Sequence, residues 1–125
     1  MSLGLPVTTE ALFELSFDHG KNGLDALLES MVLCKMLYIQ EWNREQASMY
    51  GDVCESDGYI KFYDLYDQLV FPTSIEKLNE LLGDLELLGY VSRISKDIWS
   101  VSKARVADKL NKLGYSFSVR DRISY

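Results

Sequence analysis

The order of apolar and polar positions along the chain predicts several helices and a few short strands. The longest helix is predicted over about 24–49, where apolar residues recur at helical spacing. Its middle, residues 31–39, is apolar on nearly every side, and such a helix must be covered all round. Either a short N-terminal helix and the C-terminal helix cover it, or a second copy does so in a homodimer. Met36 and Ile39 are then candidate interface residues.

A short strand and a helix are predicted after the polar loop 50–58. Tyr59 and Ile60 are a strand candidate, and residues 61–70 have a helical periodicity that Phe71 and Pro72 end. Tyr63 points away from the apolar stripe of this helix, which makes it a candidate for contact with a partner.

The next helix is predicted from its cap and its stop signal. Thr73 and Glu76 have the spacing of a capping box, in which each side chain accepts from the backbone of the other. Gly89 suits the left-handed position that ends a helix, so the helix is predicted to run to about Leu88. Its predicted buried stripe consists of Ile75, Leu78, Leu82, Leu85 and Leu88.

The C-terminal part is predicted to form a hairpin and a last helix. Residues 90–94 and 98–102 flank the polar turn 95–97, which is the pattern of a β-hairpin. A helix is predicted over 103–113, and the tail 115–125 begins with the alternation of a strand. At the other end, a short helix is predicted over 10–17, before a turn-rich stretch at 18–23.

This order of elements predicts a winged helix-turn-helix, a mainly α fold with a small β-hairpin (α+β). A long N-terminal helix precedes it and an extra C-terminal helix follows. At 125 residues the chain has the length of one domain, with its core at about 24–102 and the C-terminal helix and tail at 103–125.

Two stretches carry a resemblance to known families. LGDLELLGYV at 82–91 resembles the end of many winged-helix recognition helices. KFYDLYD at 61–67 resembles a helix in the C-terminal winged-helix domain of archaeal origin-recognition initiator ATPases. The resemblance covers about 24–102 and implies a stand-alone domain that binds DNA or another protein and seldom catalyses a reaction. The ATPase modules of those initiators are absent, and no DNA-contact residue carries over.

The charge distribution favours a first hypothesis of DNA binding by a regulator or replication-associated protein. The net charge is −6, but residues 1–92 carry 5 basic and 16 acidic side chains, whereas residues 93–125 carry 8 and 3. A basic hairpin and last helix can follow a phosphate backbone, so duplex DNA is one predicted partner. The candidate DNA contacts are Arg93, Lys96, Lys103, Arg105, Lys109 and Lys77.

The outward face of the helix at 73–88 favours a second hypothesis, a protein–protein interaction module. This face carries the acidic residues Glu76, Glu80 and Asp84 but only one basic residue, Lys77. Because the phosphates of DNA repel carboxylates, this face is poorly suited to DNA. The candidate protein-interface residues are Met36, Ile39, Tyr63, Glu80, Asp84 and Leu87. Tyr90 and Trp99 are interpreted as the packed root of the hairpin rather than as stacking platforms for bases.

Catalysis has little support in the sequence. His19 is the only histidine, and Cys34 and Cys54 lack the spacing of a metal or redox motif, so we expect no metal, cofactor or small-molecule ligand and no enzyme activity. No apolar run has the length of a membrane span, and no secretory signal pattern is present. Together with the absence of a disulfide pattern, this predicts a cytoplasmic protein.

Overall fold

The computed structural model describes residues 23–69, 71–112 and 114. These residues form four α-helices and a small antiparallel sheet, so the α+β class predicted from the sequence is confirmed. The elements in chain order are α1 (Gly23–Ser48), a 3-10 helix (Glu55–Gly58), β1 (Ile60–Lys61), α2 (Phe62–Gln68), α3 (Ile75–Leu87), β2 (Val91–Ser95), β3 (Ile98–Val101) and α4 (Lys103–Lys112). The helix predicted at 10–17 and the tail 115–125 lie outside the described residues.

The three strands form one antiparallel sheet in the order β1-β3-β2. Ile60 of β1 pairs with Trp99, and Val91 of β2 pairs with Val101 at the other side of β3. A β-bulge interrupts the ladder between Arg93 and Ser95. The predicted hairpin is therefore present, and the predicted strand before α2 pairs with it, although it begins one residue later than expected.

The core lies between the four helices and the inner face of the sheet. Met36 is 0% exposed and Ile39 is 3% exposed within this single chain. Their assignment to a protein interface was therefore wrong: they are core residues, because other parts of the same chain cover the apolar middle of α1. The uncovered apolar middle of α1 was the reason to expect a homodimer, and this reason no longer holds. The homodimer remains an untested prediction.

The start of α3 differs from the prediction by one residue. Ser74, not Thr73, is the N-cap, and its Oγ accepts a hydrogen bond from the backbone N–H of Lys77 at 3.0 Å. The shift moves Glu76 out of the third helical position, so the predicted capping box does not form. Leu81 is buried although it was not predicted to be, whereas Ile75 is exposed.

The end of α3 confirms the predicted stop. Gly89 has a φ of 86°, in the left-handed region. Its N–H donates to the carbonyl of Glu86 at 3.0 Å, and the N–H of Tyr90 donates to that of Leu85 at 3.1 Å. These are the two hydrogen bonds of a Schellman motif, and they direct the chain from the helix into β2.

Gly58 allows the 3-10 helix to lie against α1, and its replacement by Ala is expected to be destabilising. An added Cβ would lie 2.5 Å from Arg44 Nε and 3.0 Å from Gln40 Cγ. Overpacking of this kind costs about 1–3 kcal/mol. We expect urea denaturation of Gly58→Ala to show a loss in that range.

Gly83 provides the control for this prediction. It lies inside α3, and an added Cβ there meets nothing within 4 Å. Gly83→Ala is therefore expected to be neutral or stabilising, by up to about 1 kcal/mol. A Gly58→Ala protein as stable as the wild type would mean that the Arg44 side chain gives way without cost.

Candidate protein-interaction surface

The exposed side of α3 forms an acidic face, defined here by Glu76, Glu80, Gly83, Asp84 and Leu87. Glu76, Glu80 and Leu87 share one side of the helix because they are spaced by four and seven residues. Glu76 and Glu80 are exposed and Asp84 is half-buried. Leu87 is 88% exposed at the C-terminal end of this face.

Lys77 is the one basic residue on α3, and it is engaged by carboxylates. Its Nζ lies 3.3 Å from Asp25 Oδ1 on α1 and 3.7 Å from Glu80 Oε1. The hydrogen bond with Asp25 raises the pKa of Lys77. A phosphate would have to replace Asp25 to use this predicted DNA contact.

The hairpin brings Arg93 and Lys96 together, as the sequence predicted. Arg93 Nη2 donates to the carbonyl of Lys96 at 3.0 Å, and its guanidinium lies 5.8 Å from the ring centre of Trp99. The backbone N–H of Arg93 donates to Glu86 Oε2 at 3.1 Å. Tyr90 and Trp99 are buried, so the prediction that they form the packed root of the hairpin is confirmed.

The predicted basic contacts on α4 have different surroundings. Lys103 forms an ion pair with Glu41 on α1, and both side chains are largely buried. The guanidinium of Arg105 lies 5.7 Å from the ring centre of Tyr90, next to Gly89. Lys109 is half-buried. The basic residues predicted to contact DNA therefore differ in exposure and in their neighbours, and they do not form one continuous exposed basic surface.

Two surface cavities were not found from the sequence. One, of about 290 Å³, lies between α1 and α2 and is lined by Tyr38, Ile39, Trp42, Asn43, Asp64 and Gln68. The other, of about 380 Å³, lies between α1, the sheet and the start of α4, and its lining includes Gln40, Arg44, Tyr59, Ser92 and Ser100. The spacing of Tyr38 and Trp42, four residues apart on a predicted helix, could have indicated the cavity between α1 and α2.

Tyr63, predicted to face a partner, is exposed and lies edge-on to Phe62.

Nothing in the described part of the chain points to metal or membrane chemistry. Among residues 23–69, 71–112 and 114, no three His, Cys, Asp or Glu side chains are grouped to hold a metal ion. Within the same residues, no helix combines the length and apolarity that crossing a bilayer requires. The chain matches no protein-family model, no curated protein and no solved structure.

Proposed function

We propose that this protein is a non-enzymatic, winged-helix interaction module that binds a basic protein partner through the acidic face of α3. The observation that carries the proposal is the charge of that face. Glu76 and Glu80 are exposed, and the one lysine on the helix, Lys77, is shared between Asp25 and Glu80. The face therefore keeps an excess of negative charge, because a single lysine cannot neutralise Glu76, Glu80 and Asp84 together.

The element order supports the winged-helix part of the proposal. β1 precedes α2, α3 follows α2, and the β2–β3 hairpin follows α3. β3 lies between β1 and β2, so the hairpin extends the sheet that the short first strand begins. In a helix-turn-helix, the second helix keeps one side free for a partner, and α3 occupies that position.

Leu87 supports a protein rather than a nucleic acid as the partner of this face. Protein interfaces combine apolar anchors with surrounding polar groups, and charge complementarity selects the partner. Leu87 supplies an apolar anchor at one end of α3, and Glu76, Glu80 and Asp84 supply charge along it. Duplex DNA offers phosphates instead, which these carboxylates repel.

A second candidate function, binding of duplex DNA, is favoured by the hairpin alone. Arg93 and Lys96 are exposed there. No carboxylate of the described residues forms an ion pair with either side chain. They would contact phosphates without sequence preference, and Arg105 would extend the contact toward α4.

The two functions are distinguished by two probes and two pairs of substitutions. One probe is a fluorescent amphipathic helical peptide with lysines on one face and leucines on the other, and the second is a fluorescent 20-base-pair DNA duplex. Binding of each probe is followed by fluorescence anisotropy at low salt.

We expect Glu80→Lys/Asp84→Lys to weaken peptide binding at least tenfold, because it reverses the charge of the acidic face. Leu87→Ser is expected to weaken peptide binding as well, by removing the apolar anchor. Arg93→Ala/Lys96→Ala is expected to leave peptide binding unchanged.

A matched control separates the face from net charge. Asp52→Lys/Glu55→Lys makes the same change in charge at exposed positions outside α3, so it is expected to weaken peptide binding only slightly. Equal losses in the two charge-reversed proteins would contradict the proposal. Tight duplex binding that Arg93→Ala/Lys96→Ala removes, with a salt slope reduced by about 0.9 per lost phosphate contact, would favour the DNA function instead.

A further inference from the structure

The cavity between α1 and α2 is small. Its volume is about 290 Å³, just below the range of about 300–1,000 Å³ in which drug-sized ligands are bound. Its lining consists of Ile39, which is buried, and of aromatic and polar side chains of α1 and α2. A cavity of this kind suits one anchoring residue of a partner.

The walls of this cavity combine aromatic rings with a carboxylate. Tyr38 and Trp42 lie four residues apart on the same side of α1, and Asp64 faces the cavity from α2. Trp42 is 53% exposed, so part of its ring is open to a ligand. The face of an aromatic ring attracts a cation, tryptophan most strongly, and the carboxylate adds charge of the complementary sign.

Two amide side chains also line the cavity. Asn43 Nδ2 donates to the carbonyl of Tyr59 at 3.0 Å, which fixes the amide and leaves its Oδ1 as an acceptor. Gln68 adds a second amide side chain from the end of α2. Several acceptors beside a ring favour a planar cation with several N–H donors over a quaternary ammonium ion, which has none.

Lys35 places a cation beside one of the lining residues, Tyr38. Its ammonium lies 5.4 Å from the ring centre of Tyr38, and burial lowers the pKa of Lys35. This charge attracts the π-electrons of Tyr38 and opposes a second cation nearby. Trp42 and Asp64 must therefore supply most of the attraction for a ligand.

We propose that this cavity binds the guanidinium of an arginine side chain from a partner protein. The planar guanidinium stacks on Trp42 and donates its paired N–H groups to Asp64, a geometry that an ammonium cannot match. The proposal uses α1 and α2 only and does not rest on the acidic face of α3.

The test is a titration of the whole chain with N-acetyl-arginine amide, followed by the NMR shift of the Trp42 indole N–H at constant ionic strength. The controls are N-acetyl-citrulline amide, which is neutral and nearly isosteric, and N-acetyl-lysine amide. We expect a saturable shift with the arginine compound in the millimolar range, a weaker response to lysine and none to citrulline. Buried Trp99 serves as an internal reference, because its indole N–H should not move.

Single substitutions then assign the contacts. Asp64→Asn is expected to weaken arginine binding about fivefold, the loss of roughly 1 kcal/mol of ion pairing. Asp67→Asn, an exposed neighbour on α2 that does not line the cavity, is expected to change nothing. Lys35→Met is expected to tighten binding by removing the opposing charge.

Three results would overturn the proposal: no shift of the Trp42 signal up to about 100 mM of the arginine compound, equal shifts with the citrulline compound, or unchanged binding in Asp64→Asn. The limit of 100 mM is roughly ten times a Kd of 10 mM, at which a millimolar site would be nearly saturated. Lysine binding as tight as arginine would overturn the preference for guanidinium. Glu80→Lys/Asp84→Lys is expected to bind arginine as the wild type does, so failure of the acidic-face proposal would leave this titration unaffected.

Discussion

Trp99→Ala is expected to lower the free energy of unfolding by about 3–5 kcal/mol, the usual cost of truncating a buried aromatic side chain. Trp99 is buried on β3, the central strand, where it pairs with Ile60 on one side and Arg93 on the other. Its loss leaves a cavity under the sheet and removes the ring on which the Arg93 guanidinium lies. Urea denaturation followed by far-ultraviolet circular dichroism measures the effect.

Trp99→Phe is the informative comparison. The Nε1 of Trp99 is buried and has no hydrogen-bond acceptor among residues 23–69, 71–112 and 114. An unsatisfied buried donor costs about 1–3 kcal/mol, and Phe removes that donor together with part of the ring. The phenylalanine protein is therefore expected to lose less than about 2 kcal/mol. A loss as large as that of Trp99→Ala would mean that the indole N–H is satisfied after all.

Gln40→Ala is expected to lower the free energy of unfolding by about 2–4 kcal/mol, the sum of two effects. Gln40 is buried in α1, and its Oε1 accepts a hydrogen bond from the backbone N–H of Val101 at 3.2 Å. The substitution leaves this buried N–H without an acceptor, which costs about 1–3 kcal/mol, and it removes one methylene group worth about 0.8 kcal/mol. Calorimetry would report a lower Tm.

Two variants separate the hydrogen bond from the packing. Gln40→Met keeps a similar volume but offers no carbonyl oxygen, so it is expected to retain only the loss from the unsatisfied N–H, about 1–3 kcal/mol. Gln46→Ala, at an exposed position of α1, is expected to change stability by less than about 0.5 kcal/mol. If Gln40→Met matched the wild type, the hydrogen bond to Val101 would contribute nothing net.

The element order was predictable because local patterns determine it. α1 was predicted at 24–49 and runs over Gly23–Ser48, since helical spacing of apolar residues persists over that whole length. The N-cap residue of α3 was not predictable, because Thr73 and Ser74 both carry a hydroxyl that can serve as an N-cap. The buried arc was also underestimated: α3 is covered from more than one direction, so Leu81 is buried beside the predicted stripe.

The surroundings of the predicted site residues depended on contacts distant in sequence. Lys103 is paired with Glu41, and Lys77 with Asp25, which no local pattern indicates. The apolar middle of α1 required a cover, but periodicity does not say whether the cover comes from the same chain or a second one. For that reason Met36 was assigned to an interface and is found in the core. The acidic side of α3 was predictable, because a regular helix fixes which residues share a side.

The β-bulge in β2 has a consequence for solubility. β2 is an outer strand of the sheet, and an outer strand with free backbone groups can recruit a strand from another molecule. Here the ladder is irregular between Arg93 and Ser95, and the carboxylate of Glu86 occupies the N–H of Arg93. Charged side chains at Arg93 and Lys96 add repulsion between like copies. The hairpin is thereby protected against edge-to-edge aggregation while its side chains stay accessible.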